Sequence, residues 1–590
     1  MISTQVAGEA AAFLGLLVAW LACVVLPAGD RAKDGPVHAF ARAACLGLVV
    51  ALLARFAPRD ADAFHARHVG AASPASLGVL RIACAGILLL FTADFMTAPL
   101  EATAALPRWT CKPSGVLGLL ARSAPAGHAA GAFARALTSG ADAAALRGLE
   151  RATRGFLVAA VAGVATPVSC PLACGAWLLY GGVLHAYNTW RGHSFIAAWW
   201  GLAILSWRGG ARGLSVDGLA ARLLLGRRGA HRGGGDRRGW TRFLVTLVLA
   251  NNYLMAGLTK LCASGALWAS GTNLKTKLLA TTLNGRHFLF RGFLSLRLRH
   301  VPEPFWTFLG ACGLFGEIAM GLVPFGDAPR LALPAVMWAM HVGILFLQHI
   351  LFIDLLLLIP AWYLAHAVDG ASGGPWDLGR AVAAARGARP AAAAGAAAGD
   401  PDGAALLGGG RGAPRPPSRA ARDGARAAAL LLGSFAAVWV AGAEFFPWNG
   451  FRMFATYEAP PATYHRFATY DAAGHRGPDW HPHDLSPALN RKRLSDGLNA
   501  CADAPAYDRC RAFLAFAAPR AAALPGAPAK LAIQYRSWDY AADLDKAHYC
   551  DSMVVLALDV AAGTVAAAGP PEPCDFVDWD AKTGQTMGTL

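Results

Sequence analysis

The sequence predicts an all-α polytopic membrane helix bundle with a small C-terminal β or α+β extramembrane domain. Hydrophobic residues make up 55% of the 590 residues, and the mean hydropathy is +0.39. Charged residues make up only 15%, well below the roughly one quarter that is usual for soluble domains. Long apolar runs fill the first two thirds of the chain, and strand-like alternation of apolar and polar residues follows after residue 449.

Candidate membrane spans are apolar runs of about 17–25 residues, the length with which a helix crosses the hydrocarbon core. We count about eleven of them, some rather short. Their approximate bounds are 9–28, 37–57, 77–97, 155–168, 170–187, 193–207, 243–262, 303–325, 331–348, 350–367 and 427–446. Pro171 and Pro360 interrupt two runs, so kinked or re-entrant segments are expected there. The N-terminus lacks the basic stretch of a signal peptide, so the first run is expected to remain as a span.

Changes in composition divide the chain into five predicted regions. They are two N-terminal spans in 1–74, a membrane domain in 75–368, a linker in 369–425, the last span in 426–448 and a C-terminal domain in 449–590. The linker is rich in Ala, Gly and Arg and poor in aromatic residues, a composition typical of disorder. Within the membrane domain, residues 98–154 are predicted to form an interfacial connector rather than a span.

The net charge of +16 is concentrated in basic loops. Residues 208–242 contain nine Arg, and the linker is also basic. Basic loops mark the cytoplasmic side of a membrane protein, and no domain with interleaved basic and aromatic residues accompanies them, so we predict no nucleic-acid partner. Four candidate spans separate the two basic segments, which places both in the cytoplasm. The last span then places the C-terminal domain in the lumen or outside the cell, for a protein of the endoplasmic reticulum or plasma membrane.

Four of the twelve cysteines fall in the C-terminal domain: Cys501, Cys510, Cys550 and Cys574. An even number in a small polar domain fits two disulfides in an oxidising compartment, although their spacing does not reveal the pairing. The same region contains three strand-like segments, TYHRFATYDAAGHR, KLAIQYRSWDY and DSMVVLALDV. We therefore predict a disulfide-tied domain with β-structure.

Lys260 is the first charged residue after an apolar run that begins at Phe243. On a helix, Tyr253, Gly257 and Lys260 share one face at i, i+4 and i+7. Gly257 leaves room for a neighbouring helix or a flat ligand. Burial in an apolar pocket disfavours the charged ammonium, which makes Lys260 a candidate general base. The alternative is a membrane anchor, since lysine at the end of a span often reaches up to the headgroups.

Three further ionisable residues are candidates, because such residues are costly at membrane depth. His193 begins an aromatic-rich run and can shuttle protons or stabilise an anion, or else it lies in an interfacial aromatic belt. Glu317 lies between Gly313 and Gly321 on one helical face, where small residues favour close packing. Glu317 and His341 form a candidate proton path or, alternatively, a satisfied structural network. We predict no metal site.

Seven segments of the chain are informative through their order. They are LGVLRIACAGILLL with Arg81, WRGHSFIAAWWGLAIL, LSVDGL, YLMAGLTKL followed by Trp268 and Gly271, FGEIAMGLVPF, MHVGILFLQHILFIDLLLL and FRMFATY. In this order they resemble the vitamin K-dependent γ-glutamyl carboxylase family and the wider horizontally transferred transmembrane (HTTM) proteins. The resemblance covers roughly residues 75–455. At two positions the carboxylase motif differs, because its paired lysine is Thr259 here and its following acidic residue is Cys262.

The resemblance implies a membrane lyase and epoxidase that couples oxygenation of a quinol to carboxylation of glutamate. Reduced vitamin K or a similar quinol is the implied cofactor, with O2 and CO2 as co-substrates. Lys260 matches the lysine that deprotonates the quinol, and His193 matches a histidine that assists at the glutamate carbanion. The candidate cofactor-binding residues are Tyr253, Gly257, Trp268 and His341. The implied partners are the lipid bilayer and a glutamate-containing protein substrate.

Two other classes of function remain open at the level of the sequence. The first is an HTTM-domain membrane protein that binds a lipid, a quinone or a protein partner without carboxylase activity. It is favoured by the roughly 140 residues of the C-terminal domain, which do not match the large lumenal region of the carboxylase. The second is a transporter with Glu317 and His341 on its proton path, although no repeat of broken helices supports it.

Overall fold

The structure of the chain is a computed structural model. The residues that it describes are 42–44, 47, 61–93, 96–112, 115–123, 128–138, 142–187, 195–207, 213–225, 235–284, 298–348, 350–370, 418–440, 458–480, 482–489, 491–503, 508–542, 551–567 and 571–573. Most of them are helical, and a small antiparallel sheet lies near the C-terminus. This agrees with the predicted fold class at the level of a helix bundle with a C-terminal domain.

The helices of the bundle are numbered here in chain order. Their bounds are α1 Pro74–Phe91, α2 Gly115–Ser123, α3 Ala129–Thr138, α4 Ala143–Ala162, α5 Thr166–Tyr187, α6 Ile196–Trp207, α7 Val216–Leu225, α8 Gly235–Ser264, α9 Gly271–Asn284, α10 Glu303–Ala319, α11 Asp327–Gln348, α12 Ile353–Gly370 and α13 Arg419–Val440. Short 3-10 helices follow two of them, at Gly265–Ala269 after α8 and at Met320–Leu322 after α10.

Six helices in the described part of the chain are long and apolar enough to cross a membrane. They are Pro74–Phe91, Thr166–Tyr187, Arg238–Ala269, Glu303–Leu322, Asp327–Gln348 and Arg419–Val440. The predicted number of about eleven spans is therefore not confirmed. The run at 193–207 forms α6, which is too short at 12 residues, and the run at 350–367 forms the 18-residue α12, which is not one of the six. The run at 9–28 and most of 37–57 lie outside the described residues.

The predicted span at 155–168 has different bounds in the structure, because local signals override its apolar composition. Asp142 begins α4 by accepting a hydrogen bond from the Ala144 backbone N–H at 3.1 Å, which draws part of the predicted connector into the helix. Gly163 ends α4 in the left-handed conformation, with φ of 72°. Pro171 and Pro360 lie inside the continuous helices α5 and α12.

The centre of the bundle is an aromatic and aliphatic core, in which Trp177, Tyr180 and Phe195 are fully buried. The LSVDGL segment ties the α4–α5 turn to α1. Arg81 of α1 donates to the Leu214 carbonyl at 2.8 Å, and Asp217 accepts from the Thr166 hydroxyl at 2.8 Å. Both groups thus have a structural role in holding this end of the bundle together.

Buried arginines close the same end of the bundle. Arg242 of α8 pairs with Asp369 of α12 and also donates to the Val69 and Ala71 carbonyls, each at 3.2 Å. Arg330 of α11 donates to the carbonyl of Pro324 at 2.7 Å. Because a buried cation is costly unless it is paired or hydrogen-bonded, these contacts define how the helices meet at this end.

The C-terminal domain is α+β. Its strands are β1 Ala462–Tyr470, β2 Arg476–Asp479, β3 Lys530–Trp538, β4 Asp551–Asp559, β5 Thr564–Ala567 and β6 Pro571–Pro573, and its helices are α14 Pro482–Leu485, α15 Arg491–Asp503 and α16 Asp508–Ala522. The strand order is β2-β1-β3-β4-β5, with β6 beside β4, and all pairs are antiparallel. The three predicted strand-like segments are confirmed as β1, β3 and β4.

One of the predicted disulfides joins two helices of this domain. Cys501 of α15 is bonded to Cys510 of α16. The other two candidates, Cys550 and Cys574, lie outside the described residues. The bond therefore closes a loop within the helical layer that covers the sheet.

The C-terminal domain packs on the end of the bundle opposite to Arg242, and α9 lies between them. The Tyr540 hydroxyl is 2.6 Å from the Thr276 hydroxyl of α9. Lys112, in the predicted interfacial connector, pairs with Asp496 at 3.0 Å. Through α9, the domain thus reaches the part of the bundle that contains Lys260.

Candidate functional site

The candidate site forms where α8 and α10 approach each other closely. A Cβ atom placed on Gly257 would lie 2.8 Å from the Cγ1 of Ile318 and 3.0 Å from the Cβ of Glu317. Such distances leave no room for a side chain, so glycine at this position sets the separation of the two helices. The next residue on the same face of α8 is Lys260, which is thereby brought opposite to Glu317.

Lys260 and Glu317 form a buried ion pair. Lys260 Nζ lies 2.5 Å from Glu317 Oε1, and the two side chains are only 10% and 7% exposed. Nζ also lies 4.5 Å from the ring centroid of Trp268, in the 3-10 helix after α8, which is a cation–π contact. Because the side chain turns into the protein rather than towards the surface, Lys260 does not have the geometry of a membrane anchor.

A second polar pair lies about two helical turns from Lys260 along α8. The Tyr253 hydroxyl of α8 is 2.8 Å from Nε2 of His341, on α11. Both residues are buried, and the His341 ring also contacts the ring of Phe352, with centroids 4.9 Å apart. In the described part of the chain, no hydrogen bond joins this pair directly to Lys260 or Glu317. The candidate proton path from Glu317 to His341 would need a bridging water or ligand.

Both polar pairs line one cavity of about 420 Å³, which lies between α8, α9, α10 and α11. Its walls are mostly apolar, with Leu309 and Met340 as examples, and each of the four helices contributes at least one polar side chain. Two lining residues, Cys312 and Val336, are exposed on the outer surface of the bundle. The cavity therefore opens between α10 and α11 on the outer surface of the bundle.

Several buried polar atoms in this cavity have no hydrogen-bond partner within the described ranges of the chain. They are Oε2 of Glu317, Nδ1 of His341 and Oδ1 of Asn252. Buried polar groups are nearly always hydrogen-bonded, so such atoms at a cavity wall indicate a missing partner, either water or a ligand. Their positions give the cavity the character of an apolar slot with a few fixed polar contacts.

A second lysine reaches the end of the cavity that faces the C-terminal domain. Lys277 Nζ lies 3.3 Å from the carboxylate of Glu458 and donates to Asn273 Oδ1 at 2.9 Å. Burial lowers the pKa of Lys277, and the Glu458 carboxylate opposes this shift. Two lysines, each paired with a glutamate, thus contact the same space.

The structure brings most, but not all, of the predicted site residues together. Tyr253, Trp268 and His341 line the cavity with Lys260. Gly257 instead lies at the contact between two helices, where it controls their spacing. His193 lies outside the described residues, so its distance from Lys260 is not defined.

The two positions at which the carboxylase motif differs point away from the cavity. The Thr259 hydroxyl donates to the Met255 carbonyl and accepts from the Trp439 indole, both at 2.7 Å. Cys262 packs in an apolar cluster with Leu258 and Trp439. In this chain, both positions serve the packing of α8 against α13.

Asn273 and Lys277 are cavity residues that were not predicted from the sequence, although a local signal for them is present. The two residues are spaced i, i+4 on a helix that Ser270 caps, with its hydroxyl 3.2 Å from the Asn273 backbone N–H. The spacing indicates a common face, but it does not show that this face lies over the cavity. The orientation of this face towards the cavity follows only from the packing of α9 against α10.

Comparison of the chain with protein-family models, with curated proteins and with solved structures finds no match.

Proposed function

We propose that this protein is a membrane enzyme that binds a quinol in the Lys260 cavity and uses Lys260 as the base that accepts a quinol proton. The observation that carries the proposal is the lining of the cavity: a buried lysine, its carboxylate partner and unpartnered polar atoms line an apolar slot. The order of sequence motifs that resemble γ-glutamyl carboxylases supports the same chemistry.

Lys260 accepts a proton only as a neutral amine, so its ammonium must first give a proton away. Transfer of a proton from Nζ to Glu317 Oε1, across a contact of 2.5 Å, leaves an uncharged amine beside an uncharged carboxylic acid. A buried site tolerates such a neutral pair, because desolvation disfavours both charged groups. Glu317 thus stores the proton while Lys260 takes one from the ligand.

The size and lining of the cavity support the binding of a quinol head group. Its volume of about 420 Å³ lies within the usual range of roughly 300–1,000 Å³ for small-molecule sites. Trp268 supplies a flat aromatic wall, and the pair formed by Tyr253 and His341 supplies a second polar contact for a ring oxygen. When bound, a reduced quinol would supply, by reaction with O2, the strong base that removes a γ-proton from glutamate.

The opening of the cavity suits a ligand that is dissolved in the bilayer. Around the opening, α10 and α11 expose Phe308, Phe315 and Val336. Such an apolar surface is expected where protein meets lipid, and an isoprenoid tail would extend into it. Because the reactive groups lie behind this surface, water is kept away from the proposed strong base.

The arrangement of the two ends of the bundle supports the proposed topology. The Arg242 end is adjacent to the Arg-rich segment, and the C-terminal domain lies at the opposite end. Basic segments favour the cytoplasm, so we propose that the C-terminal domain faces the lumen or the exterior. The Cys501–Cys510 disulfide is compatible with that oxidising side.

A second candidate function is ligand binding without carboxylation. It is favoured by Thr259 and Cys262, which replace charged residues of the carboxylase motif and take part in helix packing here. Such an HTTM-like protein would hold a quinone or lipid in the same cavity. Both functions require binding of the quinone or lipid, so only the formation of carboxylation products distinguishes them.

The test is a single reaction with purified full-length protein, reduced vitamin K, labelled bicarbonate and a glutamate peptide. The expected result is formation of both vitamin K epoxide and labelled peptide. Lys260→Ala is expected to reduce both products by at least about 100-fold, the usual scale of a lost general base.

The matched control is Lys275→Ala, which removes the same charge from α9 without touching the cavity and is expected to retain activity. Binding of the quinol without either product would favour the second candidate function. Full activity of Lys260→Ala would overturn the assigned role of the lysine.

A further inference from the structure

The cavity contacts two Lys–Glu pairs that differ in the burial of their carboxylates. In the inner pair, which Lys260 forms with Glu317, the carboxylate side chain is 7% exposed. In the outer pair, which Lys277 forms with Glu458, it is 46% exposed, whereas the lysine is only 9% exposed. The outer pair therefore combines a buried cation with an anion that is half in water.

This difference makes the outer carboxylate exchangeable. A carboxylate that is already half solvated loses little when it moves fully into water. Lys277, in contrast, stays buried and would lose the attraction of the Glu458 carboxylate. Another carboxylate can therefore replace Glu458, but a neutral group cannot replace it equally well. Burial lowers the pKa of Lys277, so an anion beside it also keeps the ammonium charged.

Asn273 holds the ammonium in place. Its Nδ2 donates to the Trp268 carbonyl at 2.6 Å, which fixes the orientation of the amide. Its Oδ1 then accepts from Lys277 Nζ at 2.9 Å and from the Glu458 backbone N–H at 2.8 Å. The position of Nζ is thus set by α9 and the preceding 3-10 helix, independently of the Glu458 side chain.

We propose that Lys277, positioned by Asn273, is a carboxylate-binding subsite at the C-terminal-domain end of the cavity, and that a substrate glutamate displaces Glu458 from it. The group that occupies the subsite in this structure is itself a glutamate side chain, which has the same length and charge. It reaches Lys277 from the segment that leads into β1, on the side of the C-terminal domain.

This inference rests on the proposed function, because it names the substrate group that shares the cavity with Lys260. A carboxylate at Lys277 lies in the space that Lys260 also lines, whereas a quinol enters from the opening between α10 and α11. The two substrates would therefore meet from different sides. Glu458 acts as an internal competitor that covers the subsite until a substrate arrives.

The experiment measures peptide binding to the purified full-length protein by fluorescence anisotropy. The probes are a short labelled peptide with one glutamate and the same peptide with glutamine, and oleate is used as a lipid carboxylate that competes. We expect the glutamate peptide to bind at least about tenfold more tightly than the glutamine peptide. Glu458→Gln should tighten binding of the glutamate peptide, because it removes the internal competitor.

Lys277→Met is expected to abolish the preference for glutamate, and Lys277→Arg to retain much of it because the charge remains. The matched control is Lys275→Met, which removes a lysine two residues away on α9 and should leave the preference intact. If Lys277→Met does not fold, Glu458→Gln and Lys277→Arg still test the proposal.

Equal binding of the two peptides, no detectable binding, or weaker binding in Glu458→Gln would overturn the proposal. Tight binding of oleate that depends on Lys277, without peptide binding, would also overturn the assignment to a peptide. Failure of the proposed function looks different: the glutamate preference would persist, but no epoxide or labelled peptide would form.

Discussion

At the scale of single residues, the buried pair of Lys260 and Glu317 dominates the site. Neither group is solvated, so each depends on the other for compensation of its charge. This dependence explains why an acid with no obvious partner in the sequence lies opposite a lysine 57 residues away. It also leads to a stability test that does not require any ligand.

Glu317→Leu should destabilise the protein by about 3–5 kcal/mol, the usual cost of removing one partner of a buried ion pair. Lys260→Met should have a similar effect. The double variant Lys260→Met/Glu317→Leu should be more stable than either single variant, because no uncompensated charge remains. Thermal unfolding of detergent-solubilised protein measures this, and additive losses in the double variant would contradict the pairing.

Thr259 offers a second test at the residue scale. Its hydroxyl accepts from the Trp439 indole, so Thr259→Val leaves that buried N–H without a partner. We expect a loss of stability of about 1–3 kcal/mol with no change in quinol binding, since the side chain points away from the cavity. A large loss of binding at unchanged stability would show that Thr259 contributes to the site after all.

At the scale of elements, the contact between α8 and α10 depends on Gly257. Gly257→Ala places a methyl group within 2.8 Å of Ile318, so the helices must separate. We expect a cost of about 1–3 kcal/mol in stability and weaker quinol binding, because Lys260 and Glu317 move apart. Thermal unfolding and a binding assay measure the two effects.

The control for this change is Gly433→Ala in α13, where an added Cβ has nothing within 4 Å. Alanine is the better helix former, so this variant should be neutral or slightly more stable. Equal effects of the two substitutions would contradict the assigned role of Gly257.

The sequence predicts elements better than it predicts their contacts. Apolar runs and alternation are local patterns, so most helices of the bundle and three strands could be predicted directly. The same is true of the face shared by Tyr253 and Lys260. The pairing of Tyr253 with His341 could not be predicted, because the two residues are 88 positions apart and helix packing decides which faces meet. Helix ends were also misjudged where capping at Asp142 and Gly163 outweighs hydropathy.

At the scale of the whole molecule, the two ends of the bundle differ in character. One end carries buried arginines next to the Arg-rich segment, and the other carries the α+β domain. The proposed reaction uses this polarity, since the quinol comes from the bilayer and the glutamate from the side of the C-terminal domain. The topology is therefore part of the functional proposal.

Cysteine labelling tests that topology. Arg419, at the start of α13, has an 83% exposed side chain, and Ala561 is exposed in the turn between β4 and β5. In sealed vesicles of known orientation, a membrane-impermeant maleimide should label Arg419→Cys only from the cytoplasmic side and Ala561→Cys only from the other side. The parent chain gives the background, and labelling of both from one side would contradict the topology.

The central claim, that the Lys260 cavity binds a quinol, is tested most directly by photocrosslinking. A photoreactive naphthoquinone is bound to the full-length protein, and the crosslinked residues are mapped by mass spectrometry. A second cavity, lined by Ile82, Gly86 and Leu357, serves as an internal comparison. We predict crosslinks to α8, α10 and α11 around Lys260, which excess reduced vitamin K removes. Crosslinks that fall on the second cavity, or that persist under competition, would contradict the claim.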